Sequence, residues 1–158
     1  MSKLETNTID TVSGTSNLVI GGANNTGSTT IKTNNTDAVT IDNSQNLKFN
    51  SGYGSVATAY GCRAWVNFDG SGTPAIRSSG NVSSITDNGT GNFTVNFTTS
   101  MPDTQYATIC SIGNYTTNNT TWHDAGVNNN ATGNVTVRAV TGANSAVDAT
   151  SINVAVFR

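Results

Sequence analysis

The first fifty residues of this chain carry too few apolar side chains to bury a core of their own. Residues 1–50 hold 14 apolar residues and a single aromatic residue, Phe49, whereas residues 51–158 hold 41 apolar residues and the other ten aromatics. Ordering a backbone costs roughly 1–2 kcal/mol per residue, and so little apolar surface cannot offset that cost. The segment must therefore be disordered or be stabilised by other chains.

Short apolar pieces recur about every ten residues in this segment, and they favour order over the alternative of a flexible polar linker. Between them stand Gly, Asn and Ser, which tolerate turns and positive φ. Such short strands become stable when copies from several chains wind around one axis. The pattern thus predicts an intertwined β shaft at residues 1–55 of a homotrimer, although a dimer would satisfy the burial argument nearly as well. The pieces are Ile9–Val12, Leu18–Ile20, Thr29–Lys32, Ala38–Ile41 and Leu47–Phe49.

The apolar side chains of these pieces are the expected contacts between subunits of the shaft. The predicted shaft contacts are Ile9, Leu18, Ile20, Ile31, Val39, Ile41, Leu47 and Phe49.

Arg63 and Trp65, which follow the shaft in the sequence, stand beside an otherwise apolar strand face. We expect them to pack across a subunit interface, where Arg and Trp are enriched, and the alternative is contact with another partner.

From Val56 onward, apolar and polar residues alternate with the period of a β-strand. Asn, Thr, Ser and Gly make up 82 of the 158 residues, and all four are poor in helix interiors. Six to eight short strands without a helical pattern predict an all-β chain, in which the shaft precedes an antiparallel β-sandwich at residues 56–158. The predicted strands lie at 62–68, 93–97, 105–112, 134–140 and 150–157, with one or two more in 75–84.

Reactive groups are scarce, so the sequence predicts no catalytic site, no metal site and no cofactor. The single histidine, His123, follows no nucleophile elbow, and most of the nine acids stand in turns, where Asp caps backbone groups. Cys62 and Cys110 lack zinc-ligand spacing and are expected to be buried free thiols. A net charge of −2 without charged runs gives no electrostatic footprint for nucleic acid or anionic lipid.

The polar stretch from Gly113 to Gly133 is predicted to be a loop, and it holds the candidate receptor-binding residues Tyr115, Trp122 and His123. Aromatic rings among amide and hydroxyl groups suit a saccharide or a protein surface. The alternative is that Trp122 anchors the loop against the sandwich or a neighbouring subunit.

Two segments resemble virion proteins of tailed phages. The run from Cys62 to Ala107, with CRAWVNF, GNVSSITDNGTGNFTVNF and MPD-x-x-YA, is similar to a segment of tail-fibre and related proteins, and Asp37 to Asn50 is similar to rungs of fibre shafts. The resemblance implies a homotrimeric fibre of the virion whose C-terminal β domain contacts the host surface. Other virion proteins of the tail, baseplate or capsid would then be partners.

Two other functions remain open at this point. The first is a head fibre or capsid decoration protein that is anchored through its N-terminus. The second is a depolymerase of surface polysaccharide, which needs two carboxylates across a cleft. The start, MSKLETNTID, has no apolar core of a signal peptide and no stretch is long enough to span a bilayer. We therefore expect synthesis in the host cytoplasm and a final location in the virion.

Overall fold

The computed structural model describes residues 27–50, 55–113 and 123–158. All the regular secondary structure within these ranges is β-strand, so the all-β prediction is confirmed. The chain divides into two compact units, Met1–Ala59 and Tyr60–Arg158. Residues 57–58 belong to the first unit because they pair with one of its strands.

The first unit contains an antiparallel meander of four strands. Asn34 and Asn35 form the two-residue turn between the first two strands, and both have positive φ, at 49° and 59°, as a tight hairpin requires. The three predicted pieces within the described residues are confirmed as strands. The pieces at Ile9–Val12 and Leu18–Ile20 lie outside the described residues, and winding between chains stays a prediction. The strands are β1 (Thr29–Thr33), β2 (Thr36–Ile41), β3 (Leu47–Phe49) and β4 (Ala57–Thr58).

Asp42 organises the turn between β2 and β3. Its carboxylate accepts hydrogen bonds from the backbone N–H groups of Ser44 and Asn46, both at 2.9 Å, and it lies 2.9 Å from the Lys48 ammonium. The Lys48 ammonium first, and the Asn46 backbone N–H second, hold the pKa of the Asp42 carboxyl well below its ordinary value of 3.8. The turn therefore depends on an ionised carboxylate.

Asp42→Asn should remove a pH-dependent part of the first unit's stability. A carboxyl whose pKa falls on folding stabilises the fold above its unfolded pKa of 3.8 and loses this effect as the pH drops through the lower folded pKa. The native chain should thus exceed the variant in stability at neutral pH, and the difference should shrink toward about pH 2. Urea unfolding followed through NMR signals of β1–β4 measures it. An equal difference at both pH values would contradict the assignment.

The second unit is a β-sandwich of two antiparallel four-stranded sheets, as the sequence predicts. The first sheet has the strand order β6-β5-β12-β9 and the second has the order β10-β11-β8-β7. The strands are β5 (Cys62–Asp69), β6 (Ala75–Gly80), β7 (Val82–Asp87), β8 (Asn92–Phe97), β9 (Ala107–Gly113), β10 (His123–Asn130), β11 (Asn134–Thr141) and β12 (Ser151–Phe157).

Alternate residues of the strands meet between the two sheets and form the core. Phe68 of the first sheet and Phe93 of the second are fully buried, and their rings meet edge to face with centroids 5.3 Å apart. Alternate apolar residues of the predicted strands at 62–68, 93–97 and 150–157 are buried in this core, as the alternation predicts: Ala64, Val66, Phe68, Phe93, Val95, Phe97, Ile152, Val154 and Val156.

The expected burial of both thiols is wrong for Cys62, which is exposed, while Cys110 is half-buried. The reason is the register at the start of β5. A bulge in the β12–β5 pairing follows Val156 and places Cys62 opposite Phe157, so the alternation that buries Ala64 and Val66 ends before it reaches Cys62.

The loop predicted for 113–133 is also wrong in part, because β10 occupies His123–Asn130. This strand lies at the edge of its sheet and pairs along its length with β11. The described side chains of β10 are exposed or half-buried. An edge strand is held by backbone hydrogen bonds on one side, so it does not need the apolar alternation that the sequence lacks here.

Asn81 carries the chain from one sheet to the other. It is the single residue between β6 and β7 and has a positive φ of 57°. Its side-chain amide donates to the backbone carbonyls of Arg63 and Thr99, both at 3.0 Å, and its oxygen accepts from the Thr99 N–H at 2.8 Å. The corner is thus fixed both by backbone conformation and by a side chain that bonds to both flanks.

Candidate binding faces

The structure leaves the predicted receptor residues untested. Tyr115 and Trp122 lie outside the described residues. His123 is the first residue of β10 and stands opposite Thr141, and its side chain is also outside the description. Their role therefore stays a prediction.

The predicted shaft contacts that the structure describes share one face of the β1–β4 sheet. Ile31, Val39 and Phe49 are cross-strand neighbours in one row, and Ile41 and Leu47 are neighbours in the next. Directly opposed residues of paired strands point to the same side of a sheet. We call these five residues the shaft face. Four of them are 44–61% exposed and Val39 is half-buried.

The opposite face of the same sheet is polar. Thr30, Thr40, Lys48 and Thr58 are cross-strand neighbours on it, and the hydroxyl oxygens of Thr30 and Thr40 lie 3.4 Å apart. The described part of the sheet is therefore amphipathic, with exposed side chains on its apolar face.

Arg63 and Trp65 are exposed on the outer surface of the sheet β6-β5-β12-β9, and their packing across a subunit interface stays a prediction. Trp65 is 43% exposed and stands opposite Ala155, which in turn stands opposite the 62% exposed Ile109. We call these three residues the tryptophan row. On its other side Trp65 pairs with Gly80, and a Cβ atom there would come within 2.4 Å of the indole nitrogen. The ring thus lies across the glycine.

A polar row runs beside the tryptophan row, two residues along each strand. Asn67 and Asn153 are opposite each other, and Ser111 is opposite Asn153; we call these three residues the amide row. The Asn67 amide donates to the Asn153 side-chain oxygen at 2.7 Å and to the Ser151 hydroxyl at 3.1 Å, and the Asn153 amide donates to the Ser111 hydroxyl at 3.3 Å. The bonds fix the orientation of both amides.

A shallow depression of about 280 Å³ lies over β12, where the tryptophan row and the amide row meet. Sequence reasoning identified Trp65 as exposed but missed Ile109, Ala155 and the two asparagines as its neighbours. The inward placement of Ile152, Val154 and Val156 already implied that Asn153 and Ala155 face outward. Pairing Ile109 with Ala155 needed the strand register, which one sequence does not give.

The outer surface of the other sheet has a different character. Thr94 and Thr136 are cross-strand neighbours with hydroxyls 3.3 Å apart, and the Asn96 amide donates to the hydroxyls of Ser84 at 3.1 Å and Thr86 at 2.9 Å. These small polar groups satisfy one another. Among the described side chains of this face, no apolar row lies next to a polar row.

Three acids of the sandwich cap turns, as the sequence predicts. The carboxylates of Asp69, Asp87 and Asp103 each accept a hydrogen bond from the backbone N–H two residues further on, at 2.8–2.9 Å. Hydrogen bonds from Ser71 lower the pKa of Asp69. Within the described ranges no three histidine, cysteine or acidic side chains stand together as metal ligands.

No helix in the described part of the chain is long and apolar enough to cross a membrane. Comparisons of the chain with protein-family models, with curated proteins and with solved structures found no match.

Proposed function

We propose that this chain is a structural virion protein of a tailed phage. In this proposal it forms a homotrimeric tail fibre, the shaft face holds the subunits together, and the sandwich contacts the host surface. The resemblance of the Cys62–Ala107 run to tail-fibre proteins gives the biological setting. No catalytic role is included, because the described acids that form turn caps are already committed to backbone groups.

The exposure of the shaft face is the observation that carries this proposal. A sheet with one apolar side has to bury that side against another layer, and a small isolated sheet is marginal in water. Ile31, Ile41, Leu47 and Phe49 are 61%, 48%, 49% and 44% exposed in the single chain. Three copies packed around one axis would cover this surface, which supports self-association through the first unit.

Ile41→Asp should convert the assembled protein into monomers. The substitution places a charge on each copy of the shaft face, and burying an unpaired carboxylate costs several kcal/mol per ion. Light-scattering mass of the full chain should be three times the chain mass of 16.3 kDa, and the variant should have the mass of one chain.

Thr40→Asp is the matched control, because Thr40 is the next residue of β2 and stands on the polar face. It adds the same charge and should leave the trimer intact. A trimer from Ile41→Asp would contradict the proposed role of the shaft face. A native chain that is monomeric would favour the head fibre or decoration protein, which is ordered against another virion protein. Antibody labelling of phage particles would then locate the chain on tail or head.

A further inference from the structure

We propose that the junction of the tryptophan row and the amide row is a binding site for a neutral saccharide. This inference deepens the proposed function, because it names a class of host-surface ligand for the sandwich. It depends on that function only for the source of the saccharide. Binding by the purified chain tests the site without reference to the virion.

The two rows match the two sides of a sugar ring. A pyranose carries C–H groups on its faces and hydroxyls around its rim. Trp65 supplies a flat apolar ring that is 43% exposed, and such a ring packs well on C–H groups while its surroundings stay wet. Residues two apart in a strand are separated by roughly 7 Å, so a ring on Trp65 brings its rim to Asn67 and Asn153.

The amide row is oriented before any ligand arrives. The Asn67 amide hydrogens are donated to Asn153 and Ser151. No described residue donates to the Asn67 carboxamide oxygen, so this oxygen can accept a hydrogen bond from a ligand. Ser111 accepts a bond from Asn153, so its hydroxyl hydrogen can be donated outward. Sugar hydroxyls both donate and accept, and groups that are already held in place lose little freedom on binding.

The six residues that line the site carry no charge of their own. Arg63 and Asp69 stand on β5 at either end of the two rows, and Asp69 is paired with Arg77 at 2.9 Å. An acidic or basic ligand would lose hydration here without gaining an opposite charge from those six residues.

The apolar area of the tryptophan row is too small for a stable protein interface. Large side chains expose about 150–250 Å² when fully accessible, so 43% of Trp65 and 62% of Ile109 together offer roughly 200 Å². A stable interface buries about 800 Å² on each partner, of which roughly 450 Å² is apolar. The depression of about 280 Å³ is near the lower limit for small-molecule sites, so a ligand of one or two sugar units fits better than a second copy of this chain.

NMR titration of the full chain tests the site. The probes are the neutral hexasaccharides of glucose, mannose and N-acetylglucosamine, with an oligogalacturonate as the acidic comparison. At about 5 mM, which detects dissociation constants near 1 mM, at least one neutral probe should shift signals of Trp65, Asn67 and Asn153. Trp65→Ala should weaken that binding at least tenfold, and Trp65→Phe should fall between the two.

Two further variants separate binding from folding. Ile109→Ala removes an exposed side chain of the tryptophan row and should weaken binding a few-fold with an unchanged fold. Thr136→Ala alters the outer surface of the other sheet and should bind as the native chain does. The proposal is overturned if no neutral probe shifts these signals, if only the acidic probe does, or if Trp65→Ala binds normally. A loss of trimer mass in Trp65→Ala with normal sugar binding would instead assign the face to a subunit interface.

Discussion

Phe93→Ala should lower the free energy of unfolding of the sandwich by about 3–5 kcal/mol. Phe93 is fully buried and its ring packs edge to face on Phe68 of the opposite sheet, so truncation removes apolar contacts from both layers and leaves a cavity between them. Domains of this size have about 5–15 kcal/mol of stability in all. Urea unfolding followed through the methyl signals of Val95 and Val137 measures the loss.

A double-mutant cycle isolates the ring pair from burial. Phe68→Leu and Phe93→Leu keep most of the core volume, and their combination should show a coupling of about 0.5–1.5 kcal/mol. Additive losses would mean that the two rings contribute by burial alone. A loss below about 1 kcal/mol for Phe93→Ala would mean that the sheets can close over the gap.

Gly91→Ala should destabilise the sandwich by more than about 3 kcal/mol, because two separate penalties fall on one residue. Gly91 has a φ of 65°, and a Cβ there would lie 2.4 Å from the Ala139 carbonyl oxygen and 2.7 Å from the Val147 backbone nitrogen. Both atoms belong to the backbone and hold hydrogen bonds, since the Ala139 N–H donates to Gly91 at 2.7 Å and the Val147 N–H donates to Ala139 at 3.1 Å. The same urea unfolding experiment measures the loss.

Gly72→Ala separates the two penalties. Gly72 has a nearly equal φ of 64°, and a Cβ there meets nothing within 4 Å. It should cost only the backbone term of about 1–2 kcal/mol. If Gly91→Ala costs no more than Gly72→Ala, the close approach of Ala139 and Val147 has no energetic weight.

The strands of the sandwich core were predictable because apolar and polar residues alternate along each of them. Phe93, Val95 and Phe97 read as a strand in the sequence and are buried in the structure. The edge strand β10 was not predictable from apolar alternation. Backbone hydrogen bonds to β11 hold it in place, and a strand held in this way can carry polar side chains such as those of Asn128 and Asn129. The burial predicted for Cys62 was wrong because a bulge interrupts the alternation at the start of β5.

The candidate site was predictable in only one of its members. The exposure of Trp65 follows from the alternation within β5, which is local. Its neighbours Ala155 and Ile109 come from strands that are distant in sequence and adjacent in space. Their registers depend on which strands pair, and pairing is settled by tertiary packing.

The sandwich begins and ends at the same place. β5 and β12 are antiparallel neighbours, and the Arg158 N–H donates to the Gly61 carbonyl at 3.3 Å. Tension applied between these two ends would open the β5–β12 ladder one hydrogen bond at a time, which resists pulling weakly. Tension between Gly61 and a ligand on Trp65 would instead run along a few residues of β5 and leave that ladder unloaded. If the proposed saccharide site tethers the domain, the load therefore bypasses the β5–β12 ladder.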